Sequence, residues 1–172
     1  SPVNAMHILV VMTYKASLDV WDKAGILDRE MAIYKEHIDF GFKVSILSYG
    51  GVSDLQLATR YPAVEVLTNR WSIPTWLYVL LTPLVYRSTL KSVDVYKSNQ
   101  MYGAHVIVWC QKFFRAKFVL RQGYDFVEHY LREKKRSRVL RWAALHYERY
   151  LFKKSDAAVF SSRKMMKNVQ SR

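Results

Sequence analysis

The feature that most constrains this chain is a helix-period segment set between two short apolar runs. HILVVMTY (7–14) is apolar until its polar exit, and FKVSILSYGG (42–51) is a second apolar run closed by two glycines. Between them, ILDREMAIYKEHIDFG (26–41) places Leu27, Met31, Tyr34 and Ile38 at i, i+4, i+7 and i+11, one face of a helix. Gly41 stands where a left-handed residue ends such a helix, because a residue without Cβ takes that backbone at no steric cost. A helix joining two apolar strands is a βαβ unit. Its crossover is right-handed almost without exception, and its strands lie parallel in one sheet. The polar stretch 14–25 is then the loop leaving the first strand, and a helix starting near Gly25 and Ile26 would aim its amides at whatever that loop holds.

The same alternation continues to the end of the chain. AVEVLTN (63–69), VDVYKSNQ (93–100), KFVLRQGYD (117–125) and SDAAVFSS (155–162) read as four more strands. Between them, SIPTWLYVLLTPLVYRSTLKS is apolar on nearly all sides and reads as a buried helix, started at Pro74 and kinked at Pro83. Gly103, Ile107, Cys110 and Phe114 make one helical stripe; Leu140, Ala144, Tyr147 and Leu151 make another. The strands are apolar runs, not alternating ones, as expected when helices cover both faces. The fold expected is α/β: a doubly wound, Rossmann-like parallel sheet of about six strands in the order 3-2-1-4-5-6.

Composition narrows the partner. The 172 residues carry a formal net charge of +13, with 12 Tyr, 8 Phe and 5 Trp. Such a balance suits an anionic partner: nucleic acid, a membrane surface or a phosphorylated ligand. The single cysteine, Cys110, excludes an intrachain disulfide and a cysteine-rich metal site. The most apolar stretch, WLYVLLTPLVY, is 11 residues, short of the roughly 20 that a membrane span needs. One cysteine agrees with the cytoplasm, and basic with aromatic residues fit a membrane surface as well as they fit RNA. Residues 1–5 resemble an expression-tag remnant, and the helical pattern running to the last residue suggests that 6–172 is one domain of a longer protein.

In open α/β sheets ligands bind beyond the carboxyl ends of the strands, where the strand order reverses. That rule selects Ser17, Asp19 and Gly25 in the first loop, Asn99 after the fourth strand, and Arg121, Gln122, Tyr124 and Asp125 after the fifth, with Ser161 and Ser162 after the sixth. Each also has a structural reading, as a solvated loop residue, a helix start or an ion-pair partner. Neither G-x-G-x-x-G nor G-x-x-x-x-G-K-[ST] occurs, which argues against an NAD-binding Rossmann domain and a P-loop enzyme. The five histidines are scattered without ligand spacing, so no metal is expected. The densest basic run, Arg132, Lys134, Lys135, Arg136, Arg138 and Arg141, is a candidate surface for membrane or other anions.

Taken together, these segments resemble the N-terminal domain of a two-Rossmann-domain (GT-B) glycosyltransferase, closest to the large retaining family four. The resemblance rests on residues 6–14, on KAGILDREMAIYKEHIDFGFKVSILSYG, on VLRQGYD, and on ERYLFKKSDAAVFSS with its Glu148, Asp156, Ser161 and Ser162. It departs from the family in having Ala24 and Gly25 where a glycine pair is usual, and Arg121 or Gln122 where a histidine is common. The resemblance implies the acceptor-binding half of an enzyme that moves sugar from a nucleotide-sugar donor to a glycan or lipid-linked acceptor. It implies no resident cofactor and a C-terminal donor-binding domain as partner. Ala24 and Gly25 would lie near the donor phosphate. Ser17, Asp19, Asn99, Arg121, Gln122, Tyr124 and Asp125 would bind acceptor, and this half alone would be inactive.

Two other readings compete. A basic Rossmann-like domain binding nucleic acid or another anionic ligand without catalysis fits the charge, although no RNP motif, helix-turn-helix or zinc finger occurs. A receiver-like domain needs clustered acidic residues at the first strand's end, and 12–14 offers none.

Overall fold

The computed structural model describes residues 5–133 and 137–171. Its strands are β1 (His7–Val11), β2 (Lys43–Leu47), β3 (Glu65–Leu67), β4 (Val95–Ser98), β5 (Lys117–Gln122) and β6 (Ala157–Phe160). They form one parallel sheet in the order β3-β2-β1-β4-β5-β6. This is the α/β Rossmann-like winding expected from the alternation of apolar runs and helical segments.

The helices are α1 (Leu18–Lys23), α2 (Leu27–Asp39), α3 (Val52–Ala58), α4 (Thr75–Val85), α5 (Arg87–Leu90), α6 (His105–Gln111), α7 (Phe126–Glu133), α8 (Arg138–Lys154) and α9 (Arg163–Gln170). Strand residues alternate between two cores. Ile8, Val10 and Met12 pack with Leu18, Trp21, Leu27, Met31 and Tyr34 under α1 and α2. Leu9 and Val11 face the other way, onto Tyr78, Ile107, Ala144 and Leu151 of α4, α6 and α8. The first core backs β1 and β2. At the edge strand β6, Ala157, Ala158 and Val159 are exposed.

Two local expectations change. Residues 14–25 are not one polar loop, because Ser17 caps a short helix there: its hydroxyl accepts from Val20 N at 3.1 Å. The segment 72–92 is not a buried helix. Within α4, Tyr78, Thr82 and Pro83 are buried, but Trp76, Leu80 and Leu84 face outward. The helix runs through Pro83 to Val85 and breaks at Tyr86, where α5 begins. Gly41 has φ +92° and ends α2 as its position predicts.

Candidate functional site

The carboxyl edge of the sheet is where a ligand is expected, and its central crevice is occupied by the protein itself. The helix that leaves β1 is α1, and its first amides are not free. Leu18 N and Asp19 N donate to the Asp54 carboxylate of α3, at 2.9 and 3.0 Å, and the Ser48 hydroxyl donates to the same group. Asp54 has no solvent exposure. An internal carboxylate therefore holds the position that an anion would take at this helix start. Gly50 makes room for it: a Cβ there would stand 2.2 Å from Asp54 Cγ.

The exits of β1 and β4 are stitched together. Tyr14 N donates to Tyr102 O at 3.1 Å, and Asn99 N to Val11 O at 2.8 Å. Gly103, at φ +110°, lies so close that a Cβ would come within 2.7 Å of Tyr14 N. The Tyr14 ring packs against Tyr49, Tyr102 and His105. The Tyr147 hydroxyl accepts a hydrogen bond from Gly103 N at 3.2 Å and lies 2.8 Å from His105 Nδ1. Burial lowers the pKa of His105, so its ring is held neutral beside these phenols.

The residues singled out from the sequence fall around this plug with different duties. Asp19 pairs with Lys23 at 2.6 Å on the exposed side of α1. Asp125 caps α7, accepting from Glu128 N at 3.1 Å, and the Tyr124 ring packs on His129. Gln122 is 1% exposed, and neither end of its amide meets a hydrogen-bond partner. Ser161 donates to Gly123 O, and Ser162 caps α9. Ala24 and Gly25 sit at the opposite end of α1 from the strand exit, where Gly25, at φ +71°, turns the chain into α2. The helix expected to start at Gly25 and point into the crevice is thus displaced by one helix, because Ser17 nucleates α1 first. Arg132, Arg138 and Arg141 are exposed on α7 and α8, with Arg132 3.9 Å from Glu128; Lys134, Lys135 and Arg136 lie outside the described residues.

What the carboxyl half of the sheet does bring together is a cationic pair. Lys97 and Arg121 project from β4 and β5 on the face that α2 flanks, close enough for the Arg121 charge to add to burial in lowering the Lys97 pKa. Arg121 Nη1 donates to Asn99 O at 2.9 Å, which fixes the guanidinium. No carboxylate pairs with Lys97 or Arg121 among the described residues. Val159 lies beside Arg121 and Ala157 beside Val119 in register, so the pair neighbours the exposed edge strand β6. Sequence reasoning found Arg121 but missed Lys97, since nothing in VDVYKSNQ shows that Lys97 is brought beside Arg121.

A second constellation lies at the amino edge. His7 Nε2 meets Ser45 Oγ at 2.7 Å, and Ser45 Oγ donates to Glu65 at 2.8 Å. A serine with one proton cannot give it to both. With that proton directed to the carboxylate, Ser45 does not present it to His7. This is a structural relay, not a nucleophile. Burial is the main cause that lowers the His7 pKa, ahead of the nearby Lys43 charge. No group of three or more His, Cys, Asp or Glu is placed to hold a metal among the described residues. No helix among them is long and apolar enough to cross a membrane.

The sheet order and the two helical layers define a Rossmann-like α/β domain. No family model matches the chain, and no curated protein does. Among solved structures, the chain is similar to the TrkA-N domain of the inner membrane protein ybaL from Escherichia coli, at 9% identity and a TM-score of 0.48, over 98% of this chain and 97% of that one. These results correct the resemblance drawn from sequence. The matched structure is a TrkA-N domain, not a glycosyltransferase, and no family model supports family four. The enzyme assignment, with its nucleotide-sugar donor, rested on that resemblance alone and goes with it. The segments that suggested it, apolar strand ends in small polar residues, belong to the winding itself, which many unrelated functions share. A likeness at this level transfers no ligand.

Proposed function

We propose that this is a Rossmann-like ligand-binding domain whose ligand carries phosphate, held by Lys97 and Arg121 of β4 and β5. The observation that carries the reading is the pair itself: two cations side by side, half-buried, with no carboxylate between them. Placing like charges together in a partly desolvated trough is unfavourable unless an anion joins them. Arg121 is already oriented by Asn99, which leaves its remaining donors free of that ordering cost on binding. A phosphate fits both geometries, bidentate to the guanidinium and point-like to the ammonium. The domain's basic excess would raise the local concentration of such a ligand.

Calorimetric titration with inorganic pyrophosphate tests this. Wild-type protein should bind, and Lys97→Met or Arg121→Gln should each weaken binding by tenfold or more with the fold intact by circular dichroism. Equal affinity in all three proteins would sink the assignment. Tighter binding of a single-stranded oligonucleotide than of pyrophosphate, unaffected by either substitution, would favour the nucleic-acid reading instead.

A further inference from the structure

On the opposite face of the sheet, α4 presents a surface that a water-facing helix does not need. Trp76, Leu80 and Leu84 stand at i, i+4 and i+8, and are 64%, 49% and 69% exposed. Phe113, at the end of α6, is 56% exposed beside them, its ring packed on Trp109. Trp109 Nε1 donates to Leu80 O at 3.3 Å, which fastens α6 to α4 and makes one continuous surface. Between the two helices lies a cleft of about 380 Å³ walled by Leu80, Leu84, Phe113 and Phe114. Single exposed apolar residues are ordinary, whereas a contiguous helical stripe with an apolar cleft marks a contact surface.

The segments that build this surface carry charge of one sign. Residues 70–93 contain no Asp or Glu, and neither do residues 101–121. Those stretches supply Arg70, Arg87, Lys91, Lys112 and Arg115. Lys112 Nζ lies over the Trp109 ring and the Arg70 guanidinium over Trp71, so two of the cations are held against the aromatic rings. An apolar helix face with tryptophans, built from segments whose only charges are cationic, matches the layering of an anionic bilayer. The side chains enter the acyl boundary, the indoles sit at headgroup depth, and the ammonium and guanidinium groups meet lipid phosphates. A second copy of this chain is a poor occupant, because a two-fold contact through this face would set one basic rim against another.

We infer that α4 and the end of α6 form a docking face for an anionic membrane surface. The protein lies on the bilayer with the α4 axis in the interfacial plane, and Lys97 and Arg121 on the other face of the sheet stay in water.

Co-sedimentation with vesicles of phosphatidylcholine alone, or with three-tenths phosphatidylserine, measures the docking. Wild-type protein should partition onto the anionic vesicles, with binding that weakens as salt rises. Arg87→Gln with Lys112→Gln should lower partitioning about thirtyfold, each charge contributing about fivefold. Trp76→Ser with Leu84→Ser should abolish partitioning while leaving the circular dichroism spectrum and thermal midpoint in place, since both side chains are exposed. Equal binding to neutral vesicles, no binding to anionic ones, or full binding by the Trp76/Leu84 variant would overturn the inference. So would concentration-dependent dimerisation without lipid that the same variant removes. None of these results bears on pyrophosphate binding, which uses residues on the opposite face.

Discussion

Replacing Asp54 by Ala tests how the central crevice is closed. The carboxylate accepts from Leu18 N, Asp19 N and Ser48 Oγ. Leu18 and Ser48 have no exposure, so their donors cannot turn to water after truncation. Each buried donor left without a partner costs about 1–3 kcal/mol. The Asp19 amide is partly accessible and regains some solvation, so the sum for Asp54→Ala is about 3–5 kcal/mol. That is a large part of the roughly 5–15 kcal/mol that holds a domain folded. Urea unfolding followed by circular dichroism should show the loss as a lower midpoint at an unchanged slope. Gly50→Ala should destabilise for the same reason from the other side, because its Cβ would meet Asp54 Cγ at 2.2 Å. In the Asp54→Ala background that collision is gone. The two substitutions should therefore be non-additive, the double variant falling short of the summed losses by about 1 kcal/mol or more. A loss below about 1 kcal/mol for Asp54→Ala, or strict additivity with Gly50→Ala, would refute the role given to this carboxylate.

Gly103→Ala should cost about 1–3 kcal/mol through its positive φ and the contact with Tyr14 N, and should accelerate hydrogen exchange at the Tyr14 amide; unchanged protection there would show that the two exits are not held together by this close approach. The lowered pKa values of His7 and His105 mean that the unfolded chain binds more protons just below pH 6.5. Stability should be complete above about pH 6.5 and fall as pH drops through the lowered values, a slope that His105→Phe should reduce in a pH series of thermal midpoints. Lys97 is lowered as well, so its charged form opposes folding: stability should rise with pH between its lowered value and 10.5. Lys97→Met should then stabilise the ligand-free protein at neutral pH by on the order of 1 kcal/mol while weakening pyrophosphate binding, and a destabilised Lys97→Met would contradict the account of the pair.

The sheet was legible in the sequence because its signals are local. Six apolar runs separated by helix-period segments, with Gly41 at a helix end, leave little choice but a right-handed parallel winding, and the order 3-2-1-4-5-6 follows. The edge at which ligand-type residues gather was legible too, since Asn99, Arg121 and Gln122 stand at strand exits whatever packs on them. What the sequence could not tell is which of those groups are already occupied. Asp54 reads as an ordinary residue of α3, and only the fold carries it across 36 positions to Leu18 N. Lys97 reads as a strand residue, and only the pairing of β4 with β5 brings it beside Arg121 with no counter-charge among the described residues. The apolar segment 72–92 read as buried because hydropathy gives the affinity of a face for an apolar environment, not whether the protein supplies that environment. In α4 one face finds the core through Tyr78, while the face bearing Trp76, Leu80 and Leu84 does not. Local pattern thus determined the elements and their winding. Partners for the buried charge, the paired cations and the outward stripe were decided only when distant segments came together.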